Sequence, residues 1–236
     1  MYIGIVSPTM LLEKYSSPHF LQYCYGEIAR KSPEYLSFYK RMVQQNKIVI
    51  LDYSPRLPRT TRGFGIHDMV RLAKEIKPKY VVLPCVEYSV SLTQNQSENA
   101  AAFFALALPA LYNSGLRFIG LPQGNTKTEI ERSAKNLLRI SGVELLGLSA
   151  TLELVVPRET LKIDSSKTCL LDIYNLIEDE ITSMDCWGLI TSLPIRLGAV
   201  GKKILDKCSK VELDFSLDQD SKNIEENMEM FMGYIG

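Results

Sequence analysis

The chain reads as an α/β protein built on a parallel sheet, and three observations carry that reading. Short β-branched runs such as KIVIL (47–51) and VELLGL (143–148) recur along it, separated by segments with helical spacing. The runs are mostly apolar throughout, as in strands covered on both faces. Two architectures meet these conditions, an open doubly wound sheet and a TIM-type (β/α)8 barrel, here incomplete or irregular. No GxGxxG follows the first strand and no GxxxxGK followed by Ser or Thr occurs, so the barrel is the expected fold.

Taken in order, Tyr2–Val6 is the first predicted strand. Helical patterns follow over His19–Arg30 and Pro33–Gln45, the second opened by Ser32 as N-cap and Pro33 at the first helical position. Lys47–Leu51 is the second strand and ends at Asp52. A Pro-, Arg- and Gly-rich loop fills 53–66 before a short helix over His67–Ile76. Tyr80–Leu83, stopped by Pro84, is the third strand. A long Ala-rich helix over Ser97–Tyr112 leads to a fourth strand, Leu116–Leu121. Thr126 and Glu129 form a capping-box pair that opens a helix over Lys127–Ile140. Val143–Leu148 is the fifth strand. The remainder predicts a helix over Thr168–Glu180, a sixth strand over Trp187–Ile190 and a helix over Leu197–Lys207. No repeat or linker divides the chain earlier, so the expected division is a barrel over 1–208 and an acidic segment over 209–236.

The 236 residues are 46% apolar and 23% charged, enough for a substantial core. Lys+Arg and Asp+Glu both number 27, which argues against a disordered tail protein or a histone-like polycation. The neutrality is uneven. Residues 211–236 hold seven acidic residues against Lys222, a net of −6, leaving 26 basic and 20 acidic residues in 1–210. Within that body, residues 56–79 carry Arg56, Arg59, Arg62, Arg71, Lys74, Lys77 and Lys79 against Asp68 and Glu75. Such a cluster fits a polyanion-facing surface as well as a solvated one. No apolar run has the ~18 residues of a membrane span. MYIGIVSP has no signal-peptide pattern. Five cysteines without a CxxC pair suit reduced thiols. A cytoplasmic protein is expected.

In a parallel barrel the functional groups sit at the C-terminal ends of the strands. Those ends supply Asp52, Cys85 with Glu87, Gln123 with Gly124, Ser149, and Thr191 with Ser192. A carboxylate accepts hydrogen bonds and a carboxamide both accepts and donates, so the pair suits the edge of a planar polar ligand such as a nucleobase. The same residues also serve to tie loops together. Cys85 has no evident activating base, because His19 and His67 lie near no obvious partner, and it reads as a structural thiol. Neither histidines nor cysteines show ligand spacing for zinc, so no metal or cofactor is expected. The RLPRTTR loop (56–62) carries guanidinium forks that match phosphate oxygens.

These strand ends line up with a known family. VILDYSPRLPR (49–59), YVVLPCVEY (80–88), FIGLPQGNTKTEIERSAKNL (118–137), GVELLGLSA (142–150) and WGLITSLPIRLG (187–198) resemble the tRNA-guanine transglycosylase superfamily, especially its short phage-type branch that places 7-deazaguanines into DNA. The resemblance covers residues 2–200. It implies a barrel that exchanges guanine for a 7-deazaguanine base in DNA or tRNA, in the host cytoplasm if phage-encoded. In that mechanism a carboxylate attacks C1′ of a nucleotide lifted from its stack while an acid protonates the departing base. Asp52 matches the base-side acid and Gln123, with Gly124, the base-contacting strand end. Gly147 and Leu148 match the backbone lining the pocket, and Arg56, Arg59, Arg62 and Arg196 would meet phosphates.

Two positions depart from the pattern. Cys85 stands where the family has a second aspartate, leaving Glu87 as the nearby carboxylate, and Ile190 stands where the nucleophile belongs. An isoleucine cannot attack an anomeric carbon, and Asp185 lies toward the other end of its strand. No CxCxxC follows residue 190, so the zinc module of longer relatives has no counterpart. The sequence therefore leaves three readings open: a transglycosylase, a catalytically silent nucleic-acid-binding subunit that works as a homodimer or beside a catalytic partner, and an unrelated barrel enzyme.

Overall fold

A computed structural model of the chain describes residues 3–6, 9–17, 21–53, 64–148, 160–163, 167–170, 188–191 and 225. The strands among them are β1 (Ile3–Val6), β2 (Leu21–Tyr25), β3 (Ile48–Asp52), β4 (Tyr80–Val82), β5 (Arg117–Gly120), β6 (Val143–Leu148), β7 (Thr168–Leu170) and β8 (Gly188–Thr191). The helices are α1 (Gly26–Lys31), α2 (Pro33–Gln44), α3 (Ile66–Ile76), α4 (Val90–Ala107), α5 (Pro109–Asn113) and α6 (Lys127–Leu137). All strand pairs are parallel, in the order β7-β6-β5-β4-β3-β2-β1-β8. From β1 to β7 each strand lies beside its predecessor in sequence, and β8 flanks β1. Among the described residues no helix is long and apolar enough to cross a membrane.

Alternation along the strands separates two cores. Val49 and Leu51 of β3, Cys24 of β2, Val81 of β4 and Phe118 of β5 face one side. There they pack with Tyr35, Tyr39 and Met42 of α2, Met69, Leu72 and Ile76 of α3, Phe104 of α4 and Leu137 of α6. The opposite side holds Leu21, Tyr23, Tyr25, Ile50, Tyr80, Val82, Ile119 and Leu145, with Ile48 and Leu121 packed against them. Among the described residues, every member of this second cluster comes from a strand or the residue following one.

Several expectations meet the structure directly. Ser32 caps α2, its Oγ accepting from Tyr35 N at 3.2 Å, with Pro33 at the first helical position. Thr126 caps α6 through Glu129 N at 3.3 Å, although Glu129 Oε2 accepts from Asn125 N at 2.8 Å rather than from the cap residue itself. The predicted helix over Ser97–Tyr112 begins at Val90 and breaks at Leu108, where Pro109 cannot donate to the preceding turn and starts α5.

Two expectations are corrected. His19–Arg30 is not one helix: Leu21–Tyr25 is β2, buried at every position, and only Gly26–Lys31 is helical. Thr168–Leu170, placed at the start of a helix, is β7 and pairs with β6. These two segments raise the strands from the six expected to eight among the described residues.

β2 owes part of its anchorage to the neighbouring helix. Among the described residues its pairing with β1 is at Gly4 and Leu21. Two hydroxyls from α2 take up backbone groups beyond that point: Tyr25 N donates to Tyr35 Oη at 3.1 Å, and Tyr39 Oη donates to Tyr23 O at 2.6 Å. Burial pushes both phenols well above the ordinary tyrosine range, so they are neutral and able to make these bonds.

Candidate functional site

The C-terminal ends of β2, β3, β4 and β5 are neighbours in the sheet and bring several of the predicted residues to one edge. Asp52 ends β3 opposite Tyr25 of β2. Its carboxylate is held at both oxygens: Tyr23 Oη donates to Oδ2 at 2.5 Å, and Tyr53 N donates to Oδ1 at 2.6 Å. Tyr23 is 2% exposed and its ring meets that of Tyr25 edge-on at 5.2 Å. A carboxylate offers about four lone-pair directions, and a bond at each oxygen fixes its orientation. Burial, with the adjacent Asp52 charge second, pushes the Tyr53 phenol up and keeps it neutral.

The β2–α1 junction is shaped by the same carboxylate's backbone. A Cβ on Gly26 would lie 2.7 Å from Phe64 Cζ, 2.9 Å from Met69 Sδ and 3.1 Å from Asp52 O, so a larger residue would have to displace the Phe64 ring and Met69. Glu27 N then donates to Tyr53 O at 3.2 Å. Glu27, itself buried, pairs with Lys31 at 2.5 Å. Tyr53 and Phe64 meet edge-on at 6.1 Å and so bring together the two ends of the intervening Arg-rich segment.

Gln123 follows β5 and is 8% exposed. Its backbone N–H donates to Ser133 Oγ at 3.1 Å, and its Oε1 accepts a long bond from Tyr88 N at 3.4 Å. Asn125 Nδ2 donates to Tyr88 O at 3.0 Å. The loop-tying reading thus holds for the carbonyl end of Gln123, leaving its NH2 as the end available to a ligand. Gly124 has a steric reason to be glycine: a Cβ there would lie 2.7 Å from Glu129 Cβ and 2.9 Å from Ile130 N. Gly147 and Leu148 are buried at the end of β6, paired with Cys169 and Leu170. Cys85 is half-buried and Glu87 exposed, both in the loop after β4. That loop is braced by Thr93 Oγ1, which accepts from Val86 N and donates to Val86 O at 2.9 Å, and by Ser97 Oγ, which donates to Pro84 O at 3.0 Å.

Ile190 lies in β8 opposite Ile5, within the ladder. Arg56, Arg59, Arg62, Arg196, Asp185 and Ser149 fall outside the described residues, as does the predicted helix over 197–207. Of the acidic segment, Glu225 is described, ion-paired with Lys14 at 3.1 Å. Among the described residues no group of three or more His, Cys, Asp or Glu side chains is placed to hold a metal ion.

Sequence reasoning missed Tyr23 and Tyr88. The first was hidden by reading its strand as helix, although the i, i+2 spacing of Leu21, Tyr23 and Tyr25 is a strand signal. Tyr88 adopts a left-handed conformation, φ 60°, rare for a bulky residue. Its N–H and C=O are both engaged by the β5 loop, and its ring is left 49% exposed beside Gln123. Backbone strain held by surrounding bonds is a recurring feature of binding sites.

No known protein family's sequence profile matches the chain, and no curated protein matches it.

Proposed function

We propose that the chain is a (β/α)8 barrel that binds a guanine-type base at the mouth formed by the C-terminal strand ends and takes part in exchanging guanine for a 7-deazaguanine in DNA or tRNA. The strand order supports the barrel: 8-1-2-3-4-5-6-7 is the cyclic order of an eight-strand barrel, lacking only the β7–β8 seam. The second core supports it too: among the described residues it is built from strands alone, as the inside of a barrel is.

The observation that carries the base-binding reading is Asp52, a carboxylate fixed at a strand end by Tyr23 Oη and Tyr53 N, two strands from a carboxamide whose NH2 end is available. Guanine presents adjacent N–H and NH2 donors on one edge and a carbonyl acceptor beside them, which an ionised carboxylate and an amide NH2 complement. In this reading Asp52 is the base-side acid, ionised while it holds a base edge and protonated only for the step in which it passes that proton to the departing base. Gln123 and Gly124, the Cys85–Glu87 loop and the Gly147–Leu148 backbone line the base. Arg56, Arg59, Arg62 and Arg196 meet phosphates, and the protein works in the cytoplasm.

A second reading, a silent subunit beside a homodimer mate or catalytic partner, is favoured by one observation. Ile190, opposite Ile5 in the β1–β8 ladder, stands where the family resemblance would put the nucleophilic carboxylate. Incubation with labelled guanine and DNA or tRNA, with and without candidate partner proteins, separates the two. Incorporation by the chain alone supports the enzyme; incorporation only with a partner supports the subunit. Absence of both binding and incorporation overturns the proposal.

A further inference from the structure

We propose that Tyr23 is a positioning residue that keeps Asp52 ionised and aimed, and thereby sets the pH range and base preference of the site; this rests on the reading of Asp52 as the residue that meets the base. Tyr23 lies on the inner face of β2, 2% exposed, with its hydroxyl 2.5 Å from Asp52 Oδ2. A phenol in that position donates to the carboxylate and favours its charged form. The proton stays on the phenol oxygen. An ionised Asp52 accepts from base N–H groups, whereas a protonated one loses half of that acceptor edge. The site should therefore prefer a base edge with two donors, as in guanine, over one with a single donor, as in hypoxanthine.

The surroundings place Tyr23 well for this role. Its backbone is fixed from the other face by Tyr39 Oη on Tyr23 O, and its ring is braced edge-on by Tyr25. Among the described residues, other titratable groups lie on the elements that adjoin Asp52. Tyr25 of β2 and Tyr80 of β4 lie on the inner face, and Tyr53 follows on the chain. From α1, Glu27 is neutralised by Lys31, and Arg30 lies 3.9 Å from Asp68 of α3, which also pairs with Arg71. His67 of α3 packs edge-on against Phe103. Cys85 and Glu87 sit on the β4 loop at the same end of the sheet.

The test is the pH dependence of guanine and hypoxanthine binding by the full chain, measured by equilibrium dialysis. Wild-type binding should fall on the acid side as Asp52 is protonated. Tyr23→Phe should move that limb up by about one pH unit and shrink the preference for guanine over hypoxanthine roughly tenfold. In Asp52→Asn the limb should vanish, and adding Tyr23→Phe should change nothing further. Should Tyr23→Phe fold poorly, 3-fluorotyrosine at position 23 keeps the shape with a more acidic hydroxyl and should move the limb down. An unmoved limb in both Tyr23 variants, with guanine still bound, overturns this inference alone. Absence of guanine binding by the wild type at every pH overturns the base-binding reading beneath it.

Discussion

Replacing Gly124 by alanine probes how the β5 loop and α6 are fitted together at the mouth. The added Cβ would stand 2.7 Å from Glu129 Cβ, 2.9 Å from Ile130 N and 3.0 Å from Glu129 C. Carbon atoms attract best at about 3.5–4.0 Å, so the first turn of α6 must retreat by roughly 1 Å. Two of the three atoms are helix backbone, which cannot swing aside as a side-chain tip does. A retreat of that size carries Glu129 N, now 3.3 Å from Thr126 Oγ1, out of bonding range, and with it the bond from Asn125 N to Glu129. Overpacking costs about 1–3 kcal/mol and loss of an N-cap about 0.5–2. A destabilisation of about 2–4 kcal/mol is expected, read as a lower midpoint in urea with the slope unchanged. Because Gln123 and Asn125 share the loop, guanine affinity should fall as well. A change within ~0.5 kcal/mol, the range of ordinary surface substitutions, would refute the close approach of loop and helix.

Three further outcomes follow from the same geometry. Tyr39→Phe removes the donor to buried Tyr23 O and should cost about 1–3 kcal/mol, lowering the melting temperature by roughly 2–4 °C per kcal/mol; an unchanged melt would mean that the hydroxyl does not anchor β2. Burial raises the ionisation of Tyr35 and Tyr39 above the ordinary tyrosine value of 10.0, so their contribution is complete below that pH and is lost as pH climbs through the raised values. Stability should therefore decline above about pH 10, and the Tyr35→Phe/Tyr39→Phe double variant should decline less steeply; identical alkaline profiles would contradict this. Neutralising Arg56, Arg59 and Arg62 together should weaken nucleic-acid binding and lower its salt slope by up to about three, and a salt-independent interaction would count against phosphate contact.

The parts of the fold legible in the sequence were those with sharp boundaries. KIVILD ends in a polar residue at the mouth, Pro84 stops β4, and Ser32–Pro33 and Thr126 open helices with chemistry that only helix starts require. β2 was illegible for a physical reason. It is five residues long and buried at every position, and a six-residue helix follows with no break, so the short i, i+2 signal of Leu21, Tyr23 and Tyr25 is lost in a stretch that reads as one amphipathic helix. β7 is three residues long and was absorbed into the pattern after it. The strand-end rule singles out Asp52 and Gln123, which the structure sets at the end of β3 and after β5, but their partners lay beyond sequence reasoning. Tyr23 comes from the misread strand, and Tyr88 depends on a left-handed backbone that nothing local demands. Gly124, matched to the base pocket by resemblance, has its explanation in the packing of α6.

The central claim, a guanine-type base seated on Asp52, is tested most directly by equilibrium dialysis of labelled guanine against the wild-type chain and Asp52→Asn. Charge-assisted hydrogen bonds contribute about 1.5–3 kcal/mol each, so the amide should bind guanine roughly 10- to 100-fold more weakly, with an unchanged circular dichroism spectrum and melting temperature within a few degrees. Saturable binding by the wild type that Asp52→Asn weakens by that factor while still folded is the predicted result. Equal affinity in the two proteins, or no saturable binding by the wild type, would contradict it.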